Sequence, residues 1–169
     1  MTMLRQGLLD GRGVALAGGV PPAIADAMAA LGARVDTEPI HALVYDGRPA
    51  FGGGGRDSLR ECTELAWVAV HDVATGALIP AGAGKIVLIA PRPNAGPFAT
   101  AARAALENLA RTLSVEWARY GVGAVAIAPG RDTGEEELAE LVCFLVSPAG
   151  EYFTGCVFEL GGLGESASR

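Results

Sequence analysis

Short uninterrupted apolar runs alternate along the chain with longer segments of helical period. GVALA (13–17), ALVY (42–45), KIVLIA (85–90), VGAVAIA (122–128) and GCVFEL (155–160) predict strands buried on both faces, the signature of a parallel sheet. Four helices are predicted between them. The first follows Pro21–Pro22, runs through AIADAMAAL and stops at Gly32, a proline start and a glycine stop. The second opens at Asp57–Ser58, where Ser58 and Glu61 fit a capping box. Its stripe is Cys62, Leu65, Ala66, Ala69, Val73 and Ala77. The third begins after Pro97 and carries Leu106, Leu109, Ala110, Leu113 and Trp117 down one side. The fourth is capped by Thr133 and Glu136, has glutamates 135–137 on the positive end of its dipole, and shows Leu138, Leu141, Val142 and Leu145 to the core.

Strand and helix in strict alternation require right-handed crossovers. The expectation is therefore an α/β fold: a reduced, Rossmann-like, doubly wound parallel sheet of five to six strands with helices on both faces. At 169 residues it is one domain, spanning 1–169, with no internal repeat. The glycine-rich stretch 47–56 (GRPAFGGGGR) reads as a flexible surface connection. A phosphate cradle is its minor alternative, because Arg56 and a helix start follow.

Composition narrows the chemistry. Half the residues are apolar but only ten are aromatic, while thirty-one are alanine and twenty-four glycine, so small side chains and close backbone approaches build the core. A net charge of −6 argues against nucleic acid, which is gripped through Lys and Arg. The longest stretch without a charged residue, 13–25, is 13 residues, short of the roughly 20 that a membrane span needs. The N-terminus shows no apolar secretion signal, and three scattered cysteines (Cys62, Cys143, Cys156) fit a reducing compartment; the expectation is cytoplasmic. His41 and His71 lie far apart with no ligand-type spacing, so no metal site is expected. No nucleophile elbow is present, and Lys85 is the sole lysine.

Five segments, in order, resemble the short-chain dehydrogenase/reductase family: AIADAMAALGARV (23–35), HALVYDG (41–47), GKIVLIAP (84–91), RAALENLARTLSVEWARYGVGAVAIAPG (103–130) and ELAELVCFLVSPAGEYFTGCVFELGG (137–162). The resemblance implies nicotinamide-dependent carbonyl reduction by Ser, Tyr and Lys with a supporting Asn. In this sequence those positions fall on Ala90 (or Pro91), Ala99, Arg103 and Trp67. A methyl group donates no proton, and an arginine fork is no simple replacement for an ammonium. The glycine turn is reduced to Gly18 and Gly19, followed by two prolines that lack N–H donors. Only DTEPI separates Val35 from His41, where the family has two helices and another strand, and no lid follows Pro129–Gly130.

The elements kept are those through which, by the resemblance, subunits associate: the helices at 58–79 and 98–119, and the last helix and strand. Cys62, Trp67, Ala102, Ala105, Leu109, Trp117, Val157 and Phe158 are the interface candidates. The leading expectation is a non-catalytic subunit without a bound cofactor. It would associate with an intact, NAD(P)-dependent homologue, or with itself, and shape that oligomer. Two alternatives stand beside it. One is a divergent NAD(P)-dependent oxidoreductase using Tyr45, Asp46 and Arg103 in a rebuilt site; the other is a binding protein for a small ligand such as an acyl thioester.

Overall fold

A computed structural model describes residues 3–161. Six parallel strands form one sheet in the order β2-β1-β3-β4-β5-β6, with β1 Gly13–Ala17, β2 Arg34–Val35, β3 Ile40–Asp46, β4 Gly84–Ile89, β5 Val122–Pro129 and β6 Val157–Leu160. Two-residue periodicity sends Ala42 and Val44 to one face of β3, and Leu43 and Tyr45 to the other. The first face is covered by α1 (Pro22–Ala30) and α6 (Glu135–Val146), the second by α3 (Arg56–Val73) and α5 (Ala99–Glu116). Helices on both faces of a parallel sheet make the fold Rossmann-like and doubly wound, as expected.

Much of the sheet's core is small. Ala42, Ala90, Ala124, Ala126 and Ala128 are buried in or beside its strands, and Ala66, Ala102 and Ala110 face it from α3 and α5. Alanine there lets helix and sheet backbones approach closely while interior density is kept. The helix stripes match expectation only in part. On α3 the buried line is Cys62, Ala66 and Val70, continuing through Ala74 and Leu78 in a π turn (Ala74–Leu78) and a last short turn, α4 (Ile79–Ala81). Leu65 points outward at 44% exposure. Neither proposed capping box forms: Gly55 and Gly134 occupy the N-cap positions, and no side chain caps either helix. Thr133 is engaged elsewhere, accepting from Gly130 N at 2.8 Å and donating to the Leu160 carbonyl at 3.0 Å.

The glycine-rich stretch is not a free loop. Arg48–Phe51 forms one helical turn, α2, and Phe51 is fully buried in the core under α3. Gly54 packs against the backbone of Ala95 and Gly96, so close that a side chain at 54 would meet the Ala95 carbonyl at 2.6 Å. The apolar anchor of Phe51 overrides the flexibility that a run of glycines suggests.

The edge strand β2 is only two residues long. Beyond it Asp36, at φ 48°, turns the chain back toward β3, and its carboxylate accepts the Leu16 N–H of β1 at 2.8 Å. One side chain thus satisfies a ladder donor that a longer neighbouring strand would otherwise take.

Candidate functional site

In a doubly wound sheet, ligands bind beyond the carboxyl ends of the strands, at the crevice where the strand order reverses. Here that crevice lies between β1 and β3. Its floor is the turn after β1, Gly18–Gly19, both at φ 80°. Positive φ explains glycine at each position. Their surroundings do not leave a phosphate cradle open. A Cβ on Gly18 would overlap the Asp46 carbonyl and come within 2.9 Å of the Tyr45 ring, and one on Gly19 would lie 3.3 Å from Pro49. The helical turn α2 therefore sits across the glycine turn. With Pro21 and Pro22 supplying no donors, these residues do not fit a dinucleotide pyrophosphate.

The carboxyl edge beyond is occupied by the chain's own charges. Asp46, fully buried at the end of β3, receives Arg48 Nη2 at 2.7 Å and Nε at 3.0 and 3.1 Å, and the Arg48 backbone N–H at 2.9 Å. The other side of the same guanidinium reaches Glu135 on α6, at 2.6 Å from Nη1 and 3.1 Å from Nη2. Glu135 also accepts from Arg92 at 3.2 Å, and Arg92 donates to the carbonyls of Gly130, Arg131 and Thr133. One connected network thus ties the ends of β3, β4 and β5 to the start of α6.

Its electrostatics are self-consistent. Burial alone would lower the Arg48 pKa, but hydrogen bonds and charge from Asp46 and Glu135 outweigh it and raise the pKa above the ordinary arginine value. The hydrogen bond from Arg48, with help from Arg92, holds Glu135 below the usual glutamate range.

The family's active-site positions are accounted for individually. Ala90 and Ala99 are buried, each 1% exposed, within the core shared with α3 and α5. Arg103 turns one end of its guanidinium onto the strand ends: Nη1 donates to the Pro91 carbonyl at 2.8 Å and the Pro129 carbonyl at 2.7 Å, clamping the ends of β4 and β5 together. Burial lowers its pKa. Trp67 is on the outer surface of α3, remote from the strand ends in its contacts, its ring tilted against those of His71 and Trp117. Tyr45, the residue a rebuilt site would use as proton donor, is 1% exposed and donates its hydroxyl to the Cys62 carbonyl at 3.0 Å. Burial raises its pKa further. Tyr45, Asp46 and Arg103 therefore do not converge on an open cleft.

The interface candidates divide. Cys62 and Ala102 are fully buried against the chain's own sheet, so neither can meet a partner; their stripe positions face the core. Ala105, Leu109 and Trp117 on or after α5 are half-buried, as are Val157 and Phe158 on the edge strand β6. Trp67 is 47% exposed beside Val68 at 51%, and Val115 is 75% exposed on α5. Residue composition alone could not separate Cys62 from Trp67, because both fall within the predicted helix and only its rotation decides which is outside.

The site residues that the sequence did not single out are Arg48, Arg92 and Glu135. The available signal was positional. Asp46 and Arg48 flank a glycine at one strand end, and three glutamates open a helix that the topology brings to the same edge of the sheet. Among the described residues no group of three or more His, Cys, Asp or Glu can hold a metal ion, and no helix is long and apolar enough to cross a membrane.

No family model matches the chain. An alignment of 99 positions, covering 50% of this chain and 37% of the other protein's length, is 34% identical to gluconate 5-dehydrogenase of Gluconobacter oxydans. Among solved structures, a citronellol catabolism dehydrogenase of Pseudomonas aeruginosa superposes with a TM-score of 0.75 at 21% identity, over 96% of this chain and 98% of the other. A gluconate 5-dehydrogenase of Burkholderia cenocepacia, in complex with NADP and tartrate, gives 0.71 at 20% identity, over 96% and 98%. A hydroxysteroid dehydrogenase of Escherichia coli gives 0.75 at 19% identity, over 94% and 99%. The chain has the fold of these dehydrogenases, and the curated match supports the resemblance drawn from its sequence.

Proposed function

We propose that this chain is a degenerate member of the short-chain dehydrogenase/reductase family that binds no nicotinamide cofactor and catalyses no reaction. Its role is to associate with an intact, NAD(P)-dependent homologue and shape that partner's oligomer. The observation that carries this reading is the Arg48-centred network. Where a relative such as the Burkholderia enzyme is described in complex with NADP, the crevice of this chain is filled by α2, Arg48 and Glu135. A cofactor would have to displace a buried ion pair, which leaves charges uncompensated and is costly.

The surface supports the association half of the reading. Trp67 and Val68 on α3 and Val115 on α5 are exposed apolar side chains, and the Trp117 ring lies tilted against Trp67 at 6.5 Å. Exposed aromatic and aliphatic side chains grouped on one face mark interaction surfaces in water-soluble domains. Ala105 and Leu109 lie along the same helix pair and Val157 and Phe158 along the β6 edge, where a second contact would form.

The experiment is co-expression of the tagged chain beside intact dehydrogenase homologues from its own source, followed by size-exclusion chromatography. A stable mixed oligomer with one of them is expected, and Trp67→Glu should disperse it. Calorimetric titration with the four nicotinamide nucleotides should give no heat from the isolated chain. A monomer that joins none of the homologues, or saturable binding of any of the four nucleotides, overturns the proposal.

A further inference from the structure

On the other face of the sheet, a cavity of about 480 Å³ opens between α1 and α6. It exists because both helices carry small residues where they approach: Ala23, Ala27 and Ala30 from α1, and Ala139 and Cys143 from α6. The N-terminal segment closes one side as a strap. Met3 N donates to Glu140 Oε1 on α6 at 2.8 Å, and Gln6 Nε2 donates to the Ala30 carbonyl on α1 at 2.7 Å. Leu4, between these two anchors, contributes to the wall. The volume is within the range typical of small-molecule sites, roughly 300–1,000 Å³.

The charge of the wall is one-sided. Glu136, Glu137 and Glu140 line the cavity, and among the described residues no Lys, Arg or His does. Glu136 and Glu140 are four residues apart on one helix face, where like charges repel by a few tenths of a kcal/mol. The helix dipole favours Glu136 and Glu137 in the first turn of α6 but not Glu140 beyond it. Cys143, at the inner wall, is held as a neutral thiol, with burial pushing its pKa up to about 11. It therefore adds apolar surface and no charge.

We propose that this cavity binds a small amphipathic cation, an amine carrying an aliphatic or aromatic tail. The tail lies along the alanines and Cys143, and the ammonium is met by Glu136 and Glu137. Apolar walls alone would accept any tail; the carboxylates select the sign of the head group. The site is separate from the crevice and from the α3–α5 face, so it stands whether or not the chain forms mixed oligomers.

Three eight-carbon probes separate tail from head: n-octylammonium, octan-1-ol and octanoate, each titrated calorimetrically against the full chain at low and moderate salt. Octylammonium should bind saturably and at least about tenfold more tightly than octanoate, with octanol between them and the amine alone weakened by salt. Ala27→Leu, which fills the cavity, should weaken all three probes. Glu136→Gln combined with Glu137→Gln should weaken only the amine. Thermal melts confirm that each variant is folded; should Ala27→Leu not fold, Ala30→Leu at the exposed end of α1 takes its place. Equal affinity for the three head groups, no saturable binding of octylammonium, or amine binding untouched by the cavity-filling variant overturns the proposal.

Discussion

Replacing Arg48 by methionine tests the central network most directly. Methionine keeps the length and apolar stem but removes every side-chain donor. Asp46, with its side chain fully buried, loses three hydrogen bonds from the guanidinium and keeps one, from the backbone N–H of residue 48. Breaking a buried pair by removing one partner costs about 3–5 kcal/mol, because the remaining charge is left uncompensated. The surviving N–H places this case near the lower end. Glu135 is 40% exposed and recovers water, so its share is below about 1 kcal/mol. The expected loss is therefore about 3–4 kcal/mol, a large part of the roughly 5–15 kcal/mol that a domain of this kind has. At about 2–4 °C per kcal/mol for a chain of this size, Tm should fall by roughly 6–16 °C. Urea and thermal unfolding followed by circular dichroism measure it. The double variant Asp46→Asn/Arg48→Met removes the orphaned charge and should recover at least half the loss. A single-variant loss below about 1 kcal/mol, or a double variant no better than the single, would refute the claim that a buried, mutually dependent ion pair fills the crevice.

Other consequences are open to separate measurement. Lys85 is 2% exposed and donates to the carbonyls of Gly150 and Phe153; burial lowers its pKa to about 8, from 10.5. A lysine disfavoured in its charged form makes folding stability rise as pH increases from about 8 toward 10.5, by up to about 3 kcal/mol, and Lys85→Met should abolish that rise in pH-dependent unfolding. Glu135 has the opposite sense: its pKa is depressed in the folded state, so its contribution is present above the ordinary glutamate range and is lost as pH falls through it. Glu135→Gln should therefore flatten the acid limb of the unfolding profile. Gly18→Ala forces a side chain at φ 80° into the Asp46 carbonyl and should cost more than about 2 kcal/mol, measured by urea midpoint. Of the three cysteines, Cys62 and Cys143 are buried with thiols pushed up to about 11, so only the half-buried Cys156 should react promptly with a disulfide reagent in the native state.

The alternation of strands and helices was legible because strands buried on both faces leave uninterrupted apolar runs, and each main helix is punctuated by proline or glycine. The short β2 had no such run, being two residues beside a polar turn, and emerged only through the resemblance of 23–35. Helix rotation was less legible. Apolar residues lie all round much of α3, so the stripe of period three and four takes in the outward Leu65 beside the inward Cys62, and Cys62 also stands among the interface candidates. The crevice network was hidden for another reason. The Asp46–Arg48 pair, Arg92 and Glu135 come from three separate points on the chain, and only the sheet order β1-β3-β4-β5 and the placement of α6 bring them to one edge. Phe51 marked α2 as ordered, but its signal was outweighed by four consecutive glycines.

Arg103 carries a consequence for substitutions at the carboxyl ends of β4 and β5. At the position where the family's lysine would stand, its guanidinium fastens the carbonyls of Pro91 and Pro129, the ends of two neighbouring strands. Both bonds come from Nη1, at the tip of a side chain one atom longer than lysine's, so an ammonium at 103 would have a wider gap to span to reach both carbonyls. Tyrosine at position 99 would need volume in a core where Ala99 is already 1% exposed. Lysine at 103 together with tyrosine at 99 would thus loosen the strand ends and crowd the core. The side chains at 99 and 103 thus belong to the packing of α5 against β4 and β5, and a change at either is felt first as a change in stability.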